Sequence, residues 1–127
     1  VVTSASLAGR PHLVYFWFTG CPPCVKTSPL LVALYKEYGP RGLEMVALNA
    51  DRLLEVGTSD EERTADAKKK GMAFTLAHAT AEAQEAYGAV SVYPTMFFVD
   101  RKGTIVRQFV NFQEMPALQE AARLALQ

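Results

Sequence analysis

The sequence predicts an α/β fold in which one mixed β-sheet is covered by helices on both faces. A continuous apolar run at 13–18 is typical of a strand that is buried on both sides. Helix-length segments between the early strands favour parallel pairing, because a parallel crossover needs a dozen or more residues. The turn at 100–103, Asp-Arg-Lys-Gly, predicts a β-hairpin and therefore antiparallel strands in the second half.

The first predicted helix follows this strand directly. It spans 22–38, where apolar side chains recur at helical spacing. Pro29 lies inside the helix and is expected to bend it, because proline lacks the N–H that the helical hydrogen bonds need. The pair Gly39-Pro40 is expected to end the helix. Residues 43–49 then form the second predicted strand.

A charged helix is predicted after the second strand. Ser59 and Glu62 form a capping box at its start, lysines gather near its end, and Gly71 stops it. Such a charge run is typical of a solvated helix face, and a docking surface is the alternative. The remaining predicted elements are a short helix at 80–87, hairpin strands at 96–99 and 104–112, and a final helix from about 116 to 126.

Length and charge limit the possible classes of protein. The chain has 127 residues, half of them apolar, which predicts a single domain over 1–127 with a substantial core. Its 13 basic and 13 acidic residues cancel, so no nucleic-acid partner is indicated. No apolar stretch is long enough to span a bilayer. The chain starts at Val1 without a methionine, so a signal segment or membrane anchor is expected outside it.

The two cysteines, Cys21 and Cys24, lie at the start of the first predicted helix. Unpaired N–H groups and the positive end of the helix dipole favour a thiolate there, and the thiolate is the reactive form. A static disulfide across so short a loop would remove little chain entropy. A structural zinc site usually needs four ligands, and only His12 and His78 could be added. Thiol–disulfide chemistry is therefore the leading interpretation, with the static disulfide and the zinc site as alternatives.

Several motifs continue this pattern along the chain. They are Phe16-Trp17 leading into Cys21-Pro22-Pro23-Cys24, Pro29 after that pair, Leu48-Asn49-Ala50-Asp51, Tyr87-Gly88, Tyr93-Pro94-Thr95, and Phe98 to Gly103. Together they resemble the thioredoxin fold, and within it the TlpA-like (ResA/DsbE-type) thiol–disulfide oxidoreductases. The resemblance covers about residues 9–127. A charged insertion at about 52–71 also resembles an element of that family.

The resemblance implies roles for individual residues. Cys21 matches the exposed nucleophile and Cys24 the resolving thiol. Pro94 matches a cis-proline opposite the disulfide, where backbone groups of Tyr93 would face Cys21 and pair with an extended substrate strand. An ordinary trans proline at a strand start is the alternative for Pro94. The residues that support the site are then Tyr93, Pro94, Trp17, Pro22 and Pro23, although core packing also explains Trp17.

Three positions depart from the family pattern. Tyr15 and Thr27 stand where thioredoxins and many TlpA-like reductants carry a buried acid, so Cys24 has no evident internal base. Gly20 replaces the tryptophan that usually precedes the first cysteine, which opens the surface beside Cys21. These departures argue against a specialised cytochrome-maturation reductant, but not against dithiol chemistry.

The predicted reaction is reversible exchange between the Cys21–Cys24 dithiol and a protein disulfide, through a mixed disulfide, with this protein as the reductant. No metal or organic cofactor is expected, because the cysteines are themselves the redox group. The expected partners are a disulfide-containing protein and an upstream dithiol reductant, and the expected state is a monomer. The resemblance implies an extracytoplasmic location such as the bacterial periplasm, with the cytoplasm as the alternative.

Two other functions are alternatives. A thiol-dependent peroxidase would form a sulfenic acid on Cys21 that Cys24 resolves. Peroxiredoxins, however, usually carry a threonine three residues before the cysteine and an arginine nearby, whereas Thr19 lies two residues before Cys21. The third candidate is a non-catalytic binding module of thioredoxin fold, and the presence of both cysteines and of Pro94 argues against it.

Overall fold

The computed structural model describes residues 9–57, 59–72, 74–88 and 90–127. The strands in these ranges are β1 (His12–Trp17), β2 (Glu44–Asn49), β3 (Thr75–His78), β4 (Thr95–Val99) and β5 (Ile105–Val110). The α-helices are α1 (Pro22–Tyr38), α2 (Asp60–Lys69), α3 (Ala81–Ala86) and α4 (Met115–Leu126), and a 3₁₀ turn, Gly39–Arg41, follows α1. The described residues contain no helix long and apolar enough to cross a membrane.

The strands form one mixed sheet in the order β3-β2-β1-β4-β5. β1 and β3 both run parallel to β2, while β4 runs antiparallel to β1 and to β5. The parallel strands are those joined by helical crossovers, and the antiparallel pair β4–β5 is the predicted hairpin. The α/β class predicted from the sequence is therefore confirmed.

β1 lies at the centre of this sheet, and its side chains alternate between two cores. Leu13, Tyr15 and Trp17 face the larger core, which also contains buried side chains of α1 and α4. Val14 and Phe16 face a smaller core on the opposite side. Because both faces are covered, all six residues of β1 are buried. The disulfide pair belongs to the larger core, so the site is attached to the most buried part of the sheet.

The predicted order of elements is wrong at one place, because β3 lies between α2 and α3. This strand of four residues pairs with β2 from Val46 opposite Thr75 to Asn49 opposite His78. It is an edge strand and only half-covered, so it lacks the apolar run or alternation that marks a strand in sequence. The pairing with β2 creates it, and that pairing is a long-range contact.

Candidate active site

The Cys21–Cys24 pair stands at the N-terminus of α1. Cys21 is the N-cap, and its sulfur accepts a hydrogen bond from the backbone N–H of Cys24 at 3.3 Å. Pro22 and Pro23 occupy the first helical positions, where a missing N–H costs nothing. The two sulfurs are joined in a disulfide, with 5.1 Å between the Cα atoms. The sequence Cys21-Pro22-Pro23-Cys24 therefore begins the helix, and its two cysteines form the disulfide.

The expected exposed position of Cys21 is not found in this disulfide form. Both cysteines have only 1% of their surface exposed. The Cys21 sulfur lies 3.8 Å from the carbonyl oxygen of Tyr93, so the segment before β4 lies against it. The difference between the two cysteines is one of position: Cys21 precedes the helix, whereas Cys24 lies within its first turn. Greater reactivity of Cys21 in the reduced protein stays a prediction.

The Tyr93–Pro94 segment, which directly precedes β4, lies against the Cys21–Cys24 disulfide. The Tyr93–Pro94 peptide bond is cis. The Tyr93 ring packs edge-on against Phe18, with 5.6 Å between the ring centroids, and its hydroxyl accepts a hydrogen bond from Gln84. These contacts fix Tyr93 between the end of β1 and α3. The structure thus brings Tyr93 and Pro94, which the sequence analysis singled out, next to Cys21.

Trp17 is a core residue at the end of β1. Only 2% of its surface is exposed, and its ring lies parallel to Tyr15 at a centroid distance of 6.5 Å. The ammonium group of Lys70 lies 5.5 Å from the Trp17 ring, within the range of a cation–π contact. The Trp17 carbonyl also accepts a hydrogen bond from Ala50, at 2.8 Å. Core packing therefore accounts for Trp17 without any contact to a substrate.

Tyr15 and Thr27, at the positions where an acid was expected, make only neutral hydrogen bonds. The Tyr15 hydroxyl lies 3.2 Å from the Ser28 hydroxyl and 3.5 Å from the Cys24 carbonyl. Burial raises the pKa of Tyr15 to about 12, and the Ser28 hydrogen bond opposes that rise. The Thr27 hydroxyl donates to the Pro23 carbonyl at 2.9 Å. Neither side chain can act as a base near neutral pH.

Asp51 is a site residue that sequence reasoning did not assign a role. Its side chain is fully buried. One carboxylate oxygen accepts the backbone N–H of Thr19 at 2.8 Å, and the other accepts the Thr19 hydroxyl at 2.7 Å. Thr19 is two residues before Cys21, so Asp51 fixes the loop that leads into the disulfide. The parallel register, with Trp17 opposite Asn49, brings Thr19 near Asp51 two residues further on. The sequence marks Asp51 only as the end of the motif Leu48-Asn49-Ala50-Asp51.

Arg63 corrects the prediction that the charged helix presents only a solvated face. This residue of α2 is 8% exposed, and its guanidinium lies 3.7 Å from the Asp51 carboxylate. It also pairs with Asp60, and this hydrogen bond is the main cause that lowers the pKa of the exposed Asp60 carboxyl. The buried Asp51 carboxylate requires a positively charged partner, and Arg63 of α2 provides it. The inserted helix therefore supports the active-site loop.

The two histidines considered for a zinc site lie at opposite ends of the sheet. His12 begins β1, and its Nδ1 is 2.8 Å from the Arg10 carbonyl. His78 ends β3, which runs in the same direction as β1, and its Nε2 faces Asp60 at 3.1 Å. In the part of the chain that the structure describes, no group of three or more His, Cys, Asp or Glu residues is placed to hold a metal ion.

The Cys21–Cys24 disulfide lies at the start of the helix after the central strand, and the Tyr93-Pro94 segment before an antiparallel strand lies against it. This arrangement defines a protein of the thioredoxin fold class. Comparison with known proteins agrees with this geometry. The chain belongs to the Redoxin family, which matches residues 1–123. It is similar to proteins described as thiol-disulfide oxidoreductase ResA and to a putative thiol:disulfide interchange protein DsbE from Chlorobium tepidum.

Three relatives illustrate the similarity. The thiol-disulfide oxidoreductase ResA of Bacillus thuringiensis (strain Al Hakam) is 30% identical over 115 residues, which are 89% of this chain and 62% of that protein. ResA of Bacillus subtilis (strain 168) is 32% identical over 104 residues, 81% of this chain and 54% of that protein. The chain thus spans about 62% and 54% of these relatives. A crystal structure of a thiol:disulfide interchange protein, a thioredoxin family protein from Chlorobium tepidum TLS, superposes with a TM-score of 0.85 at 25% identity, covering 99% of this chain and 86% of that one.

Proposed function

We propose that this protein is a thiol–disulfide oxidoreductase that reduces disulfides in other proteins with the Cys21–Cys24 dithiol. The observation that carries the proposal is the N-cap position of Cys21, whose sulfur accepts the Cys24 N–H at 3.3 Å. The same N–H and the positive end of the helix dipole stabilise a thiolate on Cys21 in the reduced protein. Membership of the Redoxin family and similarity to ResA support this activity.

The reaction proceeds in two exchanges. The Cys21 thiolate attacks one sulfur of the substrate disulfide, a new S–S bond forms, and the other substrate sulfur leaves as a thiolate that takes up a proton. Cys24 then loses its proton and attacks the Cys21 sulfur, which breaks the mixed disulfide and releases the second substrate thiolate. Two electrons pass from the dithiol to the substrate, and the Cys21–Cys24 disulfide remains. Because both sulfurs belong to the chain, no metal or organic cofactor takes part.

The substrate is a protein segment in extended conformation. The Tyr93 carbonyl, 3.8 Å from the Cys21 sulfur, is an acceptor beside which a strand can pair. Gly20 has a φ of +86°, and nothing lies within 4 Å of the position that a Cβ would take, so the surface before Cys21 is open. The exposed side chains of Val25 and Val92, 50% and 47% exposed, offer apolar contacts near the site.

The setting of the reaction follows from the same family likeness. An upstream dithiol protein would return Cys21 and Cys24 to the reduced state, because each cycle leaves a disulfide behind. We place the protein in an extracytoplasmic compartment such as the bacterial periplasm, acting as a monomer. Disulfide substrates are most abundant in such oxidising compartments, which makes a dedicated reductant useful there.

The experiment that tests this function uses two serine variants and insulin as the disulfide substrate. Reduced Cys24→Ser should accumulate a covalent mixed disulfide through Cys21, visible by non-reducing electrophoresis and mass spectrometry. Cys21→Ser should form none, and the parent protein should reduce insulin catalytically. Near pH 6, iodoacetamide should label the parent mainly at Cys21, because we expect the helix N-terminus to favour the thiolate of the reduced Cys21. Equal labelling of both cysteines, or no trapping by Cys24→Ser, would contradict the assigned roles.

A further inference from the structure

A cleft lies between α2 and the carboxyl ends of β1, β2 and β3. Its volume is about 170 Å³, and neither cysteine lines it. Trp17, Asn49 and His78 are contributed by the three strands, while Ala67 and Thr64 face them from α2. The cleft is therefore separate from the disulfide site, and the proposed thiol exchange does not use it.

The three strand residues are direct neighbours across the sheet. Trp17 pairs with Asn49 in the β1–β2 register, and Asn49 pairs with His78 in the β2–β3 register. Paired residues in parallel strands point to the same face, and neighbouring strands lie about 4.8 Å apart. Three nitrogen-bearing side chains therefore form one row of about 10 Å at the strand ends.

Each side chain in this row has a nitrogen without a hydrogen-bond partner among the residues that the structure describes. These atoms are Trp17 Nε1, Asn49 Nδ2 and His78 Nδ1, and all three are shielded from solvent. Trp17 and Asn49 are only 2% and 5% exposed. Buried polar atoms are nearly always paired, because leaving one unpaired forfeits its hydrogen bonds to water. A row of three such atoms lining one cleft indicates a place for a polar ligand group.

The hydrogen-bonding character of each atom follows from its other contacts. The Asn49 Oδ1 accepts the backbone N–H of Asp51 at 2.9 Å, so the amide orientation is fixed and Nδ2 is the free donor. The His78 Nε2 faces an oxygen of Asp60 at 3.1 Å, so Nε2 carries a proton, and in the neutral imidazole Nδ1 is then an acceptor. The indole N–H of Trp17 can only donate. The three strand residues thus present two donors and one acceptor to the cleft, which the polar side chains of Asp60, Arg63 and Thr64 also line.

We propose that this cleft binds a small molecule with a primary amide group on a compact apolar body. The amide oxygen accepts from Trp17 Nε1 and Asn49 Nδ2, and the amide N–H donates to His78 Nδ1. Ala67 and Leu76 of the lining contact the apolar part. The volume suits this size, because an engineered apolar cavity of about 150 Å³ binds benzene. Arg63 and Asp60 also line the cleft, but Arg63 pairs with both Asp60 and Asp51, so its positive charge is already compensated. A carboxylate therefore fits less well than an amide, since it also has no N–H for His78.

The test uses the fact that Trp17 is the only tryptophan of the chain. In a ¹⁵N–¹H NMR spectrum it gives a single indole N–H signal, which reports directly on the proposed hydrogen bond. Titration of the oxidised protein with isobutyramide should shift this signal downfield in a saturable manner, with a dissociation constant in the millimolar range. Isobutyrate has the same shape but no N–H, and it should bind roughly tenfold more weakly.

Asn49→Asp is the sharpest variant. It keeps the oxygen that accepts the Asp51 N–H and replaces the Nδ2 donor by an acceptor, so isobutyramide binding should be lost. Asn111→Asp makes the same chemical change at an exposed position after β5 and should bind like the parent. If Asn49→Asp does not fold, Thr64→Phe decides instead, because it fills the cleft from an exposed helix position. Ala65→Phe, at the neighbouring exposed position outside the cleft, is its control.

Three results would overturn the proposal. The first is the absence of a saturable shift with isobutyramide, which would mean that the cleft holds only water. The second is binding of isobutyrate as tight as that of isobutyramide, which would make the cleft an anion site. The third is unchanged isobutyramide binding in a folded Asn49→Asp or Thr64→Phe variant.

Discussion

At the residue scale, the chemistry of the site depends on which side chains surround the two sulfurs. Cys21 has the helix terminus to stabilise its thiolate, because its sulfur accepts the Cys24 N–H. Cys24 lies within the first turn, where the hydroxyl groups of Tyr15 and Thr27 are neutral and bond to backbone carbonyls. Tyr15 is 3.5 Å from the Cys24 carbonyl, and Thr27 is occupied by its bond to Pro23. In the proposed exchange, the thiolate of Cys21 is therefore better stabilised than the thiolate of Cys24.

The first prediction concerns the second exchange step. Cys24 should lose its proton slowly near neutral pH, so release of substrate from a preformed Cys21 mixed disulfide should accelerate as pH rises toward about 8.5. The high pKa of Tyr15, about 12, leaves that hydroxyl protonated throughout this range. Thr27→Glu should speed release near pH 7, whereas Thr27→Gln, of the same shape but without a base, should not. Stopped-flow measurement across pH 6 to 9 checks this, and a pH-independent parent rate would show that another group already acts as base.

A second prediction at this scale concerns Asp51. Asp51→Asn removes the carboxylate that pairs with Arg63 at 3.7 Å and leaves a buried guanidinium short of one partner. The free energy of unfolding should fall by about 3 kcal/mol, as for other buried ion pairs that lose one member. Urea denaturation of the oxidised protein measures it. Asp66→Asn breaks only the more accessible pair with Lys70, at 2.8 Å, and should cost about 0.5 kcal/mol or less. Equal losses for the two variants would argue against a special role of Asp51.

At the scale of elements, helix α2 connects the inserted segment to the active-site loop. Its start is the predicted capping box: Ser59 accepts the Glu62 N–H at 3.1 Å, and Glu62 accepts the Ser59 N–H at 3.4 Å. Asp60, Glu61 and Glu62 fill its first turn and Lys68 and Lys69 its last, in agreement with the helix dipole. The helix then brings Arg63 to Asp51, which holds Thr19. Local capping thus supports a contact that is distant in sequence.

We therefore predict that Ser59→Ala lowers the free energy of unfolding by about 1 kcal/mol, because an orphan N–H at the start of α2 loses its acceptor. Ser59→Asp is the matched control, since it keeps an acceptor at the N-cap and should retain the stability of the parent. Thermal and urea unfolding of the three proteins provide the measurement. A loss in Ser59→Asp as large as that in Ser59→Ala would mean that the cap is not what stabilises α2.

At the scale of the whole molecule, the central position of β1 couples the site to the stability of the entire fold. All six residues of β1 are buried, and Tyr15 among them has a hydroxyl in the larger core. Burial raises the pKa of Tyr15 to about 12, and it also raises the pKa of the half-buried Tyr87. Both hydroxyl groups therefore lose their proton more easily in the unfolded chain than in the folded protein.

The sign of the resulting pH dependence follows by linkage. Between the unfolded pKa of about 10 and the folded pKa of about 12, the folded state binds more protons than the unfolded state, so stability falls as pH rises. Below pH 10, Tyr15 makes its full contribution to the free energy of unfolding, which is about 3 kcal/mol for a pKa shift of this size. In Tyr15→Phe this loss should be absent, so the stability advantage of the parent should shrink between about pH 9 and pH 12. Urea unfolding of the disulfide form measures it, and a constant difference would refute the assignment.

The sequence predicted most of the architecture because most elements carry a local signal. The apolar run of β1, the caps at Ser59 and the hairpin turn at Asp100–Gly103 are each readable within a few residues. The exception is β3, whose four residues are exposed or half-buried and show no period of their own. It becomes a strand because β2, which pairs with β1 on one side, offers its other edge to β3.

The same distinction applies to function. The sequence by itself determined the redox pair, its place at a helix start and the Tyr93-Pro94 segment, since adjacent residues carry each of these signals. Only the tertiary structure decided that both sulfurs are buried in the disulfide form and that Arg63 turns inward to Asp51. It also decided that Trp17, Asn49 and His78 stand in one row. The contacts of Arg63 with Asp51, and of Asn49 with Trp17 and His78, join residues from 12 to 32 positions apart in the numbering, and they depend on strand register and burial. Neither register nor burial is encoded in any short segment, because both arise from the packing of the whole chain.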